Sequence, residues 1–159
     1  NPLRALPPAS VAKAITACYA LDVLGPDHRF ETRILATAPA LDGRIDGDLI
    51  LAGGGDPVLD TAALASITQR LREEAGVTEV TGRFLVWEGA LPALTGIDPD
   101  QPHQVGYNPG ISGLNLNFNR VHFEWQRSGD DYAVTMDARS GTLRPEVTAA
   151  RMRIAARRA

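Results

Sequence analysis

The chain has 159 residues, 44% hydrophobic and 22% charged, with 16 Lys and Arg against 19 Asp and Glu. This suits one globular domain or two small ones, and the net charge of −3 leaves no basic footprint for nucleic acid. No apolar run approaches the ~20 residues that cross a bilayer, so no transmembrane segment is expected.

In chain order, Pro7-Pro8 suits the entry to a helix, because the fixed φ of proline fits a first turn that needs no N–H. The run Val11–Leu24 predicts a helix from Ser10 to Leu24, interrupted chiefly by the polar Lys13, Thr16 and Asp22. A helix apolar on nearly every face is normally buried. The only cysteine, Cys18, is therefore expected as a small core residue. Gly25-Pro26 ends the helix. Phe30–Thr37 alternates as a half-buried strand does, and Arg44–Ala52 predicts a second strand after a hairpin-like return at Pro39–Gly43.

The glycine run Gly53-Gly54-Gly55 with Asp56-Pro57 is expected to be a tight strand-to-helix turn. It lacks the Gly-Lys-Ser/Thr ending of a phosphate loop. Leu59-Asp60-Thr61 signals an N-cap, and Leu64, Ile67 and Leu71 fall at helical spacing in a helix over Thr61–Ala75, stopped by Gly76. Glu79–Glu88 predicts a third strand, which makes a βαβ-type order. Gly89–Gly113 is rich in Pro, Gly and Asp and reads as a long irregular loop. Leu114–Trp125 alternates Leu114, Leu116 and Phe118 with Asn115, Asn117 and Asn119, which predicts a strand. Tyr132–Ala138 and Val147–Ala155 are further expected strands, the latter running through Arg151 and Arg153. The expected class is α+β, with one covering helix on a mixed sheet.

The chemistry concentrates at the only lysine. Lys13 stands three residues after Ser10, and every other basic side chain is arginine. Guanidinium stays protonated, whereas an ammonium in suitable surroundings can give up its proton and act as a base. Helical residues three apart share a face, which brings an amine within reach of a serine hydroxyl, as nucleophilic catalysis requires. The structural alternative is a serine N-cap beside a lysine that snorkels to water. His28, His103 and His122 show no ligand spacing, so no metal and no cofactor is expected.

Four segments together carry a resemblance: PPASVAKAITACYALDVLGPDHRFETRIL, GDLILAGGGDPVLD, EVTGRFLVWEGALP and GYNPGISGLNLNFNRVHFEW. In this order they resemble the class C low-molecular-mass penicillin-binding proteins, the D-alanyl-D-alanine carboxypeptidase/endopeptidases, over essentially the whole chain. The resemblance implies that Ser10 is the acylated nucleophile and Lys13 its proton acceptor. The partners it implies are peptidoglycan stem peptides and β-lactam antibiotics, in a periplasmic setting. It also implies a pocket for the stem-peptide side chain, with Tyr107 as the aromatic and Asp100 or Asp98 as the acid.

The S-x-N and K-T-G motifs of that family are absent: Ser112-Gly113-Leu114-Asn115 is one residue too long, and no second lysine exists. The chain is therefore expected to be a segment, with residues 1–29 part of a transpeptidase-like core and 30–159 an inserted α+β domain. The alternatives are a non-catalytic wall-binding or association module, and a β-lactamase- or esterase-like serine hydrolase.

Overall fold

The computed structural model describes residues 5–102 and 105–147. The chain divides into two compact units, Asn1–Phe30 and Glu31–Ala159.

The first unit is built on one helix. A 3-10 turn over Ala9–Val11 runs into helix α1, Ala12–Leu24. Gly25, at φ 82°, ends it by donating its N–H to Leu21 O at 3.0 Å, and Pro26 follows. The expected helix is present, but the expected burial is not. Val11, Ile15 and Tyr19 are 72%, 74% and 68% exposed, and Cys18 is exposed rather than a core residue. Alanine, leucine and other apolar residues spread round α1 favour the helix locally but give it no polar side.

In the second unit, strand β1 (Thr32–Ala36) pairs antiparallel with β4 (Leu49–Gly53), and β4 pairs parallel with β6 (Phe84–Trp87). A second mixed sheet joins β2 (Ala40–Leu41), β3 (Arg44–Ile45) and β5 (Glu79–Val80). Helix α2 (Thr61–Glu73) lies in the crossover between the parallel strands. Its N-cap Asp60 accepts the Ala63 N–H at 2.8 Å, and Arg70 and Arg72 fall in its last turn, where cations oppose the helix dipole. Ile45, Leu51, Ala52, Leu59 and Val77 form the buried apolar core.

Two expected strands are each broken in the middle, at Asp46–Asp48 and Thr81–Arg83, and the single sheet becomes two. The breaks face each other. Gly82 donates to Gly47 O at 3.1 Å, and a Cβ on Gly82 would run into that carbonyl. Asp48 meanwhile takes the Arg83 N–H at 2.8 Å and its guanidinium at 2.7 Å. Close backbone approach and a side-chain acceptor thus replace ladder pairing over this step.

The larger correction concerns Leu114–Trp125. Only His122–Ser128 forms a strand, β7, which pairs antiparallel with β8 (Asp131–Asp137). Before it, Asn117–Asn119 make a 3-10 turn in which Asn117, Phe118 and Asn119 have φ of 51°, 59° and 52°. Asparagine tolerates the left-handed region and bonds its own neighbouring backbone, so an asparagine at every second position favours a turn. The described residues of the Gly89–Gly113 segment are irregular as expected, apart from an isolated bridge between Leu94 and Ile111. Most of the expected Val147–Ala155 strand lies outside the described residues.

The glycine run has a packing reason beyond its turn. Gly55 donates to Gly113 O at 2.8 Å and Gly113 to Glu88 O at 2.9 Å. A Cβ at Gly53 or Gly113 would strike backbone carbonyl oxygen, of Gly113 and Glu88 respectively. Gly113→Ala is expected to destabilise the protein by about 1–3 kcal/mol, the usual cost of overpacking. Thermal denaturation followed by circular dichroism measures it, and an unchanged melting temperature would contradict the assignment.

Candidate active site

The first turn of α1 sets the position of Ser10. Val11 donates to Pro8 O at 3.0 Å, closing the turn. Ala9, immediately before the serine, has φ 45°, a left-handed conformation that costs a residue carrying a Cβ. Ser10 thus follows a strained residue and stands in the 3-10 turn that opens into α1. Lys13 lies on the same helix face, and its Nζ donates to Ser10 Oγ at 3.0 Å. Both residues are exposed. The serine does not act as a side-chain cap, since no side-chain hydrogen bond caps either the 3-10 turn or α1.

The other expected site residues sit in the second unit. Tyr107 is 67% exposed, and its hydroxyl donates to Gln101 Oε1 at 3.3 Å, not to Asp98 or Asp100. Asp100 is exposed, and its backbone N–H donates to Asp98 Oδ1 at 2.9 Å. Buried Asn108 organises this loop: its Oδ1 accepts the Asp98 N–H at 2.8 Å, and its Nδ2 donates to Asp98 O and Gln101 O. Asn108 thus ties Asp98 and Gln101 together, and Asp100 and Tyr107 are not joined directly. Tyr107 lines a groove of about 280 Å³ with Ile97, Ile111, Phe118 and Arg120.

Sequence reasoning missed the strain at Ala9 and the meeting of Phe118 with Arg120. The alternating asparagines are the available signal for the second, but their spacing mimics strand periodicity. A larger groove of about 410 Å³ over β1, β4 and β6 is lined by Leu35, Ile50, Ala52 and Trp87, with Arg33 the only charged side chain. It lacks the convergent polar groups of a reaction site. Among the described residues no cluster of three or more His, Cys, Asp or Glu is placed to hold a metal, and no helix is long and apolar enough to cross a membrane.

Residues 3–156 match the profile of the D-Ala-D-Ala carboxypeptidase 3 (S13) family. The chain belongs to that family. It is 42% identical over 114 residues to a D-alanyl-D-alanine carboxypeptidase of Actinomadura sp. (strain R39), a match covering 69% of this chain and 20% of that protein. It is 34% identical over 78 residues to the D-alanyl-D-alanine carboxypeptidase DacB of Haemophilus influenzae, covering 49% of this chain and 16% of the relative. The chain thus spans a fifth or less of the length of these relatives. The fold is similar to part of penicillin binding protein 4 (dacB) from Haemophilus influenzae, with a TM-score of 0.66 at 24% identity over 81% of this chain and 29% of that one. The same protein complexed with a β-lactam gives a TM-score of 0.55 at 24% identity, covering 80% of this chain and 26% of that one.

One cluster of charge in the second unit lies at the β7–β8 hairpin. Arg139 bonds both carboxylate oxygens of Asp137 at 2.7 Å and Glu124 Oε1 at 2.7 Å. The guanidinium hydrogen bonds hold both carboxyls below the ordinary carboxylate range, and Arg139 itself is raised in return. A lowered carboxylate pKa contributes stability above its unfolded value and loses it as the pH falls through the folded value. The hairpin is therefore expected to loosen below about pH 4. Near-ultraviolet circular dichroism reports this through Trp125, whose ring meets Tyr132 edge-on at 5.3 Å. An identical signal on both sides of that pH would contradict it.

Proposed function

We propose that Ser10 is the nucleophile and Lys13 the base of a serine D-Ala-D-Ala carboxypeptidase/endopeptidase acting on peptidoglycan stem peptides, of which this chain is a segment. The 3.0 Å contact between Lys13 Nζ and Ser10 Oγ carries the reading. With the amine neutral, the hydroxyl proton passes to Nζ as Oγ bonds the peptide carbonyl carbon. The developing oxyanion is met by the Ser10 N–H and the positive end of α1. Collapse breaks the C–N bond, the leaving amine takes a proton, and water then hydrolyses the serine ester.

A lysine serves as a base only where its surroundings disfavour the charged form, and Lys13 is exposed in this chain. Enclosure by further parts of the polypeptide, which would also supply the S-x-N and K-T-G groups, completes the site in this reading. Residues 1–29 are then part of the transpeptidase-like core and 30–159 an inserted domain, a division supported by the separation of the units at Phe30. Tyr107 and Asp100 are assigned to the side chain of the stem peptide, β-lactams to the acyl site, and the protein to the periplasm.

Labelling of the full-length polypeptide by a fluorescent penicillin tests this. Ser10→Ala should abolish it, and Lys13→Arg should slow it by about 10²-fold or more, as loss of a general base does. The 159-residue chain alone should show no peptide turnover. Labelling retained in Ser10→Ala would overturn the assignment, and penicillin turnover outpacing that of D-Ala-D-Ala peptides would favour a β-lactamase.

A further inference from the structure

Ala9 carries a cost that the helix it leads into does not ask for. Around it the backbone is right-handed: Pro8 has φ −68° and ψ −18°, Val11 −64° and −26°, and Ala12 −56° and −26°. Proline suits the first turn of a helix and alanine is the strongest helix former, so a right-handed Ala9 would start the helix smoothly at Pro8. Its φ is instead 45°, roughly 110° from the helical value. The Val11 N–H reaches Pro8 O at 3.0 Å, but an ordinary right-handed 3-10 turn closes the same bond. Packing does not repay the conformation either, because Ala9 is exposed.

The consequence falls on Ser10. The peptide unit that carries the Ser10 N–H begins at the Ala9 carbonyl. Rotation about the Ala9 N–Cα bond swings the incoming Pro7-Pro8 segment relative to the serine. The contact with Lys13 does not depend on that rotation, since the backbone after Ala9 brings Nζ to 3.0 Å from Ser10 Oγ. The helix thus sets the pair, and residue 9 sets how the pair and the Ser10 N–H face the chain that leads into them. Strain beside a reacting group is a recurrent feature of sites held in one geometry.

We infer that Ala9 is a positioning residue, whose left-handed backbone aims the Ser10 hydroxyl and N–H for acylation. The inference rests on the reading of Ser10 as the nucleophile and adds a residue to it. Attack on a carbonyl needs Oγ at the carbon and an N–H at the developing oxyanion together, and here both groups belong to one residue. A displacement of about 1 Å costs on the order of 10²-fold in rate. Side chains at position 9 therefore act through their tolerance of positive φ, not through size or polarity. Glycine and asparagine enter that region readily, whereas the β-branched valine and threonine avoid it.

The test is the rate at which a fluorescent penicillin, over a range of concentrations, labels the full-length polypeptide. The series separates the acylation rate constant from the half-saturating concentration. Ala9→Gly and Ala9→Asn should acylate within about threefold of the parent rate, and Ala9→Val and Ala9→Thr about tenfold or more slowly. The half-saturating concentration should stay within about threefold throughout, because the loss falls on the transition state. Threonine is polar and close to asparagine in size, so neither property accounts for that order. Thermal melting shows which variants are folded, and either β-branched variant suffices if the other is not. Equal rate constants across the series, with lower melting temperatures for the valine and threonine variants, would mean that the conformation serves only the fold and would overturn the inference. Acylation by Ala9→Asn as slow as by Ala9→Val would overturn it too. Labelling that survives Ser10→Ala removes the reading of Ser10 and the inference together, whereas a flat series that stays dependent on Ser10 removes the inference alone.

Discussion

The second unit depends on the side chain of Asn117. Its Oδ1 accepts the Thr61 N–H at 3.1 Å, while its Nδ2 reaches Thr61 Oγ1 and Ala138 O. One buried amide therefore joins the first turn of α2, the left-handed turn and the end of the β7–β8 hairpin. Ser140 adds a parallel tie by donating to Asp60 Oδ2 at 2.9 Å, and the Ala63 N–H together with this hydroxyl holds Asp60 below the ordinary carboxylate range. An apolar residue at position 117 would strand these partners, and each buried unsatisfied group costs about 1–3 kcal/mol. The positions of the hairpin, of the Phe118 ring and of one wall of the groove follow from this amide.

The local signals in the sequence were strong where one residue decides one event. Asp60 caps α2, Gly25 and Gly76 follow the helix ends with positive φ, and Lys13 meets Ser10 because three residues of helix bring them together. The parallel pairing of β4 with β6 across α2 also followed from the strand–helix–strand order. Periodicity failed where polar side chains had another use. The alternating asparagines mimic a half-buried strand, yet each amide competes for backbone and wins. The breaks at Gly47 and Gly82 were hidden because a Cβ at Gly47 meets Thr37 and one at Gly82 meets the Gly47 carbonyl, long-range facts that no local window contains.

For the candidate site, the sequence carried the residue types and their spacing. It carried neither the strain at Ala9 nor the exposure of α1. That helix has no polar face, so its sequence suits enclosure on all sides, whereas both Ser10 and Lys13 are open to water here. The geometry of the pair is local and present in this chain. The environment that makes lysine a base is a tertiary property, and in our proposal it comes from the rest of the polypeptide.

The measurement that bears most directly on the central proposal is peptide mapping by mass spectrometry after the full-length polypeptide has been incubated with penicillin. Trypsin cleaves after Arg4 and Lys13, so Ser10 is the only hydroxyl-bearing residue in the peptide Ala5–Lys13. The mass of one intact penicillin on that peptide, at one adduct per protein, is the expected result. An adduct confined to any other peptide would contradict the assignment of Ser10.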